Sequence, residues 1–499
     1  MTQTVSPRAA VQQAPASGRS GAAPKRTLDC DVCVVGDDVA GLVVAGDLAS
    51  RGRDVILLST GEVTWLPLDG VLAPGFALPT LELVARVGEA DAQELLILSA
   101  HAAERGLRLA EKAGVSAGPR GALAVARAHA ADALVREHEI RQKLAPDSTV
   151  LIDAQDVAAL LGTSAFAAAL GVVPAERIAT APLRAALETA ARAAGVRFVP
   201  IDGALSADLN GLRKYITTSR ARVRAFQVVV SGAGAFARMG TRTVQTAPWV
   251  CGIFRLPGVD APYAGLVEER GPAGARFHWT GDRLAFAASA ATTAFTRVGA
   301  ARVVRRHARE VYAEVGQGVV EGGRARLRLP DTGGMPLIHE GERGVWYALA
   351  SSGSEITHGF MAASLIVGAI AERDDRIALL QPFAAAARGG WAGRIARFAG
   401  FWHARLAAKL YGEAKPIPAV TDATALPEQA PVLPPALDAS PAKARRRVAA
   451  ATSASRRAAR AALHAASGWA EGLAARAAAE PRRRRLRPET DEDVPPQRR

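Results

Sequence analysis

The sequence predicts an α/β protein built on a parallel sheet, and three stretches carry that prediction. Residues 31–36 are a short apolar run ending in glycine, residues 39–51 read as a helix stopped by Gly52, and residues 54–58 are a second apolar run. Strand, glycine turn, helix and strand within about thirty residues make a βαβ unit. Residues 183–194 then read as a helix and 196–199 as a strand, a further αβ step. Finally, residues 223–230 run into Ser231-Gly232-Ala233-Gly234, and residues 345–349 run through Gly353 into a helix over 356–372. Apolar runs without polar alternation are strands covered on both faces, as in a parallel sheet.

At 499 residues the chain exceeds one ordinary domain and has room for two or three. The remaining pattern is mixed. Residues 79–114 read as helical, with Leu81, Val84, Val87, Leu95, Leu98, Leu107 and Leu109 at mostly helical spacings. Residues 245–330 mix β-like runs at 249–256 and 283–287 with a helix over 297–315.

The formal charge is +14, of which +9 falls in residues 441–499 and +4 in residues 1–28, leaving about +1 over 29–440. A near-neutral body argues against a sequence-specific nucleic-acid partner; attraction to polyanions would come from the tails. Residues 1–28 read as a disordered leader, 414–440 as a Pro/Ala-rich linker and 441–499 as a basic Ala/Arg-rich tail. The run Arg482-Arg483-Arg484-Arg485 reads as a solvated end or as a contact for anionic surfaces. No apolar segment near the start resembles a signal peptide, and the run over 360–371 is too short to span a bilayer. Cys30, Cys33 and Cys251 are too few and too odd in number for a disulfide framework. A cytoplasmic protein is expected. Cys30 and Cys33 form a C-x-x-C inside the first strand, where residues three apart point to opposite faces, so both read as core residues.

A dinucleotide-binding turn needs G-x-G-x-x-G between strand and helix and an acid at the end of the second strand. Here the turn is Gly36-Asp37-Asp38-Val39-Ala40-Gly41. Gly36 serves the tight turn and Gly41 the helix–strand packing. Asp38 replaces the glycine that lets backbone approach the pyrophosphate, and Ser59, followed by Thr60, replaces the acid that binds a ribose hydroxyl.

The order of the later segments resembles the D-amino acid oxidase family of FAD-dependent oxidoreductases. The opening over 31–58 resembles that family's first βαβ unit. Gly75-Phe76-Ala77-Leu78-Pro79 with Leu83-Val84-Ala85-Arg86-Val87-Gly88 is similar to the first long helix of its γ-glutamylputrescine oxidoreductase branch. Gly121-Ala122-Leu123-Ala124-Val125-Ala126 resembles a "G-x-L-x-V-A" strand, and the run from Arg222 through Ser231-Gly232-Ala233 resembles a strand into an "A-T-G-A" turn. Residues 331–338 resemble a late "D-G-x-P-x-I-G" segment, with His339 in place of its last glycine. Tyr347-Ala348-Leu349-Ala350-Ser351-Ser352-Gly353 resembles the strand into a closing "S-G-H-G" turn, which continues here as Ser354-Glu355. Residues 394–410, with Trp402, are similar to the C-terminal helix of the putrescine branch, and residues 64–70 stand where that branch has an "S-G-R-N-G-G" loop.

The resemblance implies a Rossmann-type FAD domain drawn mainly from residues 29–75, 170–240 and 331–380, interleaved with an α+β substrate domain of mixed sheet drawn mainly from 76–169 and 241–330, within a core over 29–413. It implies FAD contacts from Gly36, Asp38, Val39, Ala40, Gly41, Ser59, Thr60, Gly232, Gly353, Ser354, Glu355 and Ile356. It implies oxidation of the C–N bond of a small-molecule amine or amino acid by hydride transfer to flavin.

The departures imply a cofactor held weakly or lost. A carboxylate ~4 Å from a phosphate costs up to ~4 kcal/mol at an effective dielectric of ~20, and a helix N-terminus returns only ~0.3–1 kcal/mol. A missing charge-assisted hydrogen bond costs ~1.5–3 kcal/mol more. The alternative reading is therefore a non-catalytic relative of the same fold, serving as a binding or scaffold protein.

Other candidates are weaker. No two histidines lie within four residues of each other, so a helical zinc pair is unsupported, and no G-x-S-x-G is present. His358 reads as a packing or solvent-facing residue or as a group facing the flavin. Glu355 reads as helix N-terminal charge or as a ligand for a substrate amine. Trp65 and Trp249 read as core or pocket lining.

Overall fold

The computed structural model describes residues 26–59, 70–115, 117–239, 247–259, 261–270, 274–289, 297–316, 318–328, 334–350 and 354–384. The chain begins one sheet with strand β1 (Arg26–Val35), helix α1 (Val39–Ser50) and β2 (Val55–Ser59). It passes to a second sheet through β3 (Gly70–Leu72), α2 (Thr80–Val87), α3 (Glu89–Lys112), β4 (Ala117–Ala126), α4 (Ala131–Leu144), β5 (Thr149–Asp153), α5 (Ala154–Leu161) and β6 (Ala168–Ile178). Helix α6 (Thr180–Ala193) returns it to the first sheet, followed by β7 (Arg197–Pro200), β8 (Ser206–Asp208), β9 (Lys214–Thr217), β10 (Ala221–Ser231) and α7 (Gly232–Arg238). The second sheet resumes with β11 (Ala247–Arg255), β12 (Leu266–Glu269), β13 (Ala275–Thr280), β14 (Arg283–Ser289), α8 (Arg297–Arg309) and β15 (Val319–Arg328). The first closes with β16 (Leu337–Glu340), β17 (Val345–Leu349) and α9 (Glu355–Val367).

The first sheet runs β16-β17-β10-β1-β2-β7, with β9 and β8 branching from β10. Strands β17, β10, β1, β2 and β7 pair in parallel, while β16 and β9 pair antiparallel. The second sheet, β15-β11-β14-β13-β12-β4-β6-β3 with β5 on β6, is antiparallel except between β12 and β4. The protein is thus an α/β fold with mixed sheets, and the chain crosses between the sheets repeatedly.

Apolar residues on the central strands cover both faces of the first sheet. Val32, Val34, Val55, Leu57 and Val229 pack under α1, α6 and α9. Ile56, Leu58, Val228 and Val230 pack on the other side with Phe236 of α7 and Ile216 of β9. Helix α9 is the hub of the first layer: 11 of its 13 residues are buried, so polar residues in it must find internal partners.

Three expectations are corrected. Cys30 and Cys33 do not face opposite ways; with Leu28 and Val35 they pack into one cluster. The alternation breaks at Asp31, where the N–H groups of Asp31 and Val32 both donate to Asp54 O, at 2.9 and 3.1 Å. Strand β10 breaks step alongside, so the β1–β10 register stays constant. Second, the helical stretch over 79–114 is two helices, because Gly88 adopts φ +85° between them. Leu81, placed on the apolar face by spacing, is 54% exposed. Third, the helix from 297 stops at Arg309, and a separate 3-10 turn covers Ala313–Gly316. The expectations for residues 1–25, 60–69, 331–333, 351–353, 394–410, 414–440 and 441–499 lie outside the described residues, including those for Thr60, Trp65, Trp402 and Gly353.

Candidate functional site

Strand order fixes where a ligand can lie. From β1 the chain moves one way to β2 and β7 and the other way to β10 and β17, so β1 and β10 flank the switch point. Ligands of such sheets bind beyond the C-terminal ends of the strands at that point. Those ends are Gly36-Asp37-Asp38 after β1 and Gly232 after β10.

The glycines make this a tight cradle. Gly36 has φ +114°, and a Cβ there would lie 1.9 Å from Ser231 O. A Cβ on Gly41 would lie 2.2 Å from Gly36 O, so only glycine lets α1 start this close to β1. Val39 and Ala40 are buried, and α1 meets α9 there, because a Cβ on Gly359 would fall 3.0 Å from Val39 Cγ1 and 3.2 Å from Ala40 N.

Two carboxylates occupy the turn. Asp38 is the N-cap of α1, with its Oδ1 accepting from Gly41 N at 3.0 Å and from the Ser231 hydroxyl. It is half-buried; burial pushes its carboxyl above the usual range, against those two hydrogen bonds, and Asp37 adds to the rise. A Cβ on Gly232, at φ +77°, would lie 2.9 Å from Asp38 Oδ2. Asp37 is only 3% exposed. Its Oδ2 accepts from Ser59 Oγ at 2.7 Å and forms an ion pair with Arg184 of α6, whose Nε also donates to Asp37 O at 3.1 Å. The structure therefore brings Gly36, Asp38, Val39, Ala40, Gly41, Ser59 and Gly232 together. It adds Asp37, Arg184 and Ser231, which motif reading passed over. Asp37 and Ser231 were visible within the two turns but were given no role; Arg184 had no local signal.

The start of α9 builds a second cluster. Ser354 is the N-cap without a side-chain cap bond, and Ile356 packs over Gly70, whose Cβ would lie 2.1 Å from Ile356 Cδ1. Glu355 opens the helix and pairs with Arg276 of β13 at 3.4 Å. Arg276 is 2% exposed, His278 two residues along is 5% exposed, and Arg177 of β6 is 8% exposed. Burial pushes the His278 imidazole down to about 3, and Arg177 and Arg276 push the same way, so His278 is neutral. Strand β13 alternates these polar residues with Phe277 and Trp279, which enter the second sheet's core. That alternation over 275–280 is a signal that sequence reading missed.

Segment 73–80 is clamped between the clusters. Ala73 N donates to Thr357 Oγ1 at 3.0 Å, Gly75 N to Ser99 Oγ at 2.8 Å, and Arg270 Nη1 to Ala77 O at 3.2 Å. His358 is fully buried, stacks on Phe76 with centroids 5.4 Å apart, and sets Nε2 3.1 Å from Gly75 O, so it is a packing and bonding residue. Trp249 is a core residue. Among the described residues a cavity of about 40 Å³ lies beside this segment, lined by Phe76, Glu268, Arg270 and Ser354. It has room for a few waters at ~10–15 Å³ each. Among the described residues no group of three or more His, Cys, Asp or Glu could hold a metal ion, and no helix is long and apolar enough to cross a membrane.

Comparison with known proteins agrees with this geometry. Glycine oxidase from Geobacillus kaustophilus is 20% identical with a TM-score of 0.56, over 70% of this chain and 95% of that one. L-proline dehydrogenase from P. horikoshii is 15% identical with a TM-score of 0.55, over 72% and 98%. NikD, an amino acid oxidase essential for nikkomycin biosynthesis, is 14% identical with a TM-score of 0.52, over 71% and 97%. These likenesses establish the fold. No curated protein sequence matches the chain. The sequence model of the FAD dependent oxidoreductase (DAO) family matches residues 31–369, which span both clusters, and the chain belongs to that family.

Proposed function

We propose that the protein oxidises the C–N bond of an amino acid, a reading carried by the two buried arginines, Arg177 and Arg276, that flank neutral His278 opposite Glu355. Arg177 and Arg276 supply two guanidiniums, the group that binds a substrate carboxylate in bidentate fashion. Glu355 offers an acceptor for the substrate's ammonium and for the proton that the amine must lose before it is oxidised. The described neighbours of similar fold include an amino acid oxidase and a glycine oxidase, which agrees with this class.

The residues fit FAD. Gly36 and Gly41 let β1 and α1 close up at the turn where the strand order places a ligand, since a Cβ on either would meet backbone at 1.9 or 2.2 Å. The acid missing at Ser59 has a counterpart one bond away, because Asp37 Oδ2 lies 2.7 Å from Ser59 Oγ and can face a ribose hydroxyl. The first turn of α1 accepts an oxyanion, for which Asp38 now stands in. When bound, FAD supplies the hydride acceptor. We assign its ADP half to Gly36, Asp37, Asp38, Val39, Ala40, Gly41, Ser59 and Gly232, and its flavin end to the segment from Gly353 to Ile356. Assignment to the putrescine branch rests on the sequence resemblance alone.

The test is anaerobic mixing of FAD-loaded protein with amino acids and with amines that lack a carboxylate. Bleaching of the oxidised-flavin absorbance is expected with an amino acid, and Arg276→Gln should raise its KM at least about tenfold, or ~1.4 kcal/mol. Failure of every amino acid to bleach the flavin would overturn the reading. The resident carboxylates at the turn favour one second reading, a flavin-free relative that binds an amino acid at Arg177 and Arg276. It predicts amino-acid binding by calorimetry without any flavin uptake.

A further inference from the structure

We propose that Asp38 is a resident anion that competes with the cofactor's pyrophosphate for the first turn of α1, so that FAD enters only when this carboxylate is neutralised or swung aside. The inference rests on the flavin-dependent reading and concerns how the chain admits FAD rather than what it oxidises.

A helix N-terminus offers few unpaired N–H groups, and an anion there gains from them and from the helix dipole. In this chain Asp38 already uses the N–H of Gly41 at 3.0 Å. The Ser231 hydroxyl, from the end of β10, points to the same oxygen. The other oxygen lies over Gly232. The carboxylate is thus seated between the ends of β1 and β10, the place the strand order gives to a ligand. A pyrophosphate arriving there meets a like charge and finds the Gly41 N–H and the Ser231 hydroxyl already taken.

The surroundings do not neutralise Asp38. Asp37 stands beside it, but Arg184 is committed to Asp37 and reaches Glu188 at 3.9 Å. Strand β10 contributes the uncharged Ser231, and β2 contributes Ser59, bonded to Asp37. Helix α9 meets α1 at Gly359, while His358 is turned to Gly75 O. Among the described residues no cation pairs with Asp38. Burial favours its neutral form. Protonated, Asp38 can keep its place through its remaining acceptor capacity, or leave it without the cost of stranding a charge.

The experiment titrates apo-protein with FAD, and separately with ADP, which carries the pyrophosphate without the flavin. Wild type, Asp38→Asn and Asp38→Ser are compared at about pH 5 and about pH 8, because burial raises the Asp38 carboxyl and acidification therefore favours its neutral form. Asn and Ser are as good N-caps as Asp, so α1 should persist, and thermal unfolding of the free variants checks this. Both variants should bind FAD and ADP at least about tenfold more tightly than wild type at the higher pH, with little dependence on pH. Wild-type affinity should rise toward theirs as pH falls. Equal, tight binding by all three at both pH values overturns the proposal and leaves the oxidation reading standing. No binding of FAD or ADP by any of them at either pH overturns both.

Discussion

Gly36 sets the position of both carboxylates. Its φ of +114° and a Cβ only 1.9 Å from Ser231 O leave no low-cost alanine. Gly36→Ala combines ~1–2 kcal/mol of left-handed strain with ~1–3 kcal/mol of overpacking, so a stability loss of ~2–5 kcal/mol is expected in urea unfolding. A loss below ~0.5 kcal/mol would mean that the turn relaxes freely. Sequence reading saw that Asp38 and Ser59 depart from the motif, and expected both to face the cofactor. What it could not supply was their partners: Ser231 lies 193 residues from Asp38, and Arg184 lies 147 residues from Asp37. His278 gives a residue-scale pH effect. Its folded value of about 3 lies below the ordinary ~6.5, so the unfolded chain takes up a proton that the folded chain refuses. The associated stability is complete above ~6.5 and is lost progressively as pH falls toward 3. At about pH 4.5 the loss is ~2–3 kcal/mol. Asp38, shifted upward, has the opposite sign and gains stability on acidification. Comparing wild type with His278→Gln isolates the imidazole: the variant should show a flatter acid limb between about pH 6.5 and 4, and an unchanged limb would assign the acid loss to other groups.

Among the elements, the first βαβ unit, α6 with β7, and β17 with α9 were legible, because their apolar runs are long and bounded by glycine. Helix α4 was not, and the reason is physical. Its buried positions are Leu134, Glu137, Arg141 and Leu144, so half of its inward face is an ion pair and the apolar period fails. Glu137 Oε1 accepts from Arg141 Nε at 2.8 Å, and its two oxygens also take the N–H and hydroxyl of Thr80 at 2.7 and 2.6 Å. Burial lowers the Arg141 value despite Glu137, with Arg270 adding to the fall. Glu137→Ala should therefore cost ~3–5 kcal/mol, by stranding a buried guanidinium. Thermal unfolding measures this, and recovery of most of the loss in Glu137→Ala/Arg141→Met would show that the stranded charge is the cause. A second element-scale prediction concerns α3 and α9, which touch at Gly106. A Cβ there would lie 2.5 Å from Leu72 Cδ2 and 2.9 Å from the Phe360 ring. Gly106→Ala should cost ~1–3 kcal/mol, and less in a Phe360→Leu background; strict additivity would mean that the two helices do not compete for this space. The short strands β3, β5, β8 and β12 are too short to display a period and, unlike β2, β7 and β17, none adjoins a helix read from the sequence, so they escaped notice.

For the whole molecule, charge is distributed so that the ends carry what the body lacks: +9 over 441–499 against about +1 over 29–440. Binding to anionic vesicles or DNA, where observed, should depend on residues 441–499 and fade as salt rises, since exposed charges are screened beyond ~8–10 Å near physiological ionic strength. Equal binding by a chain ending at residue 440, at the same salt, would assign it to the body.

Strand β1 lies at the centre of the first sheet, between β2 and β10. One neighbour is local, but Arg26 pairs with Ala221 and Val35 with Val230, so that side of the strand waits for chain some 195 residues downstream. At ~5–20 residues per second, a ribosome needs ~10–40 s to deliver it. Through that interval the nascent protein holds the apolar run Val32–Val35 with one backbone edge open, the kind of edge to which other strands add. A newborn chain would depend on a chaperone, or on temporary cover from its own first helix, until β10 arrives. The step that completes the ligand turn is then the same late step that closes the sheet.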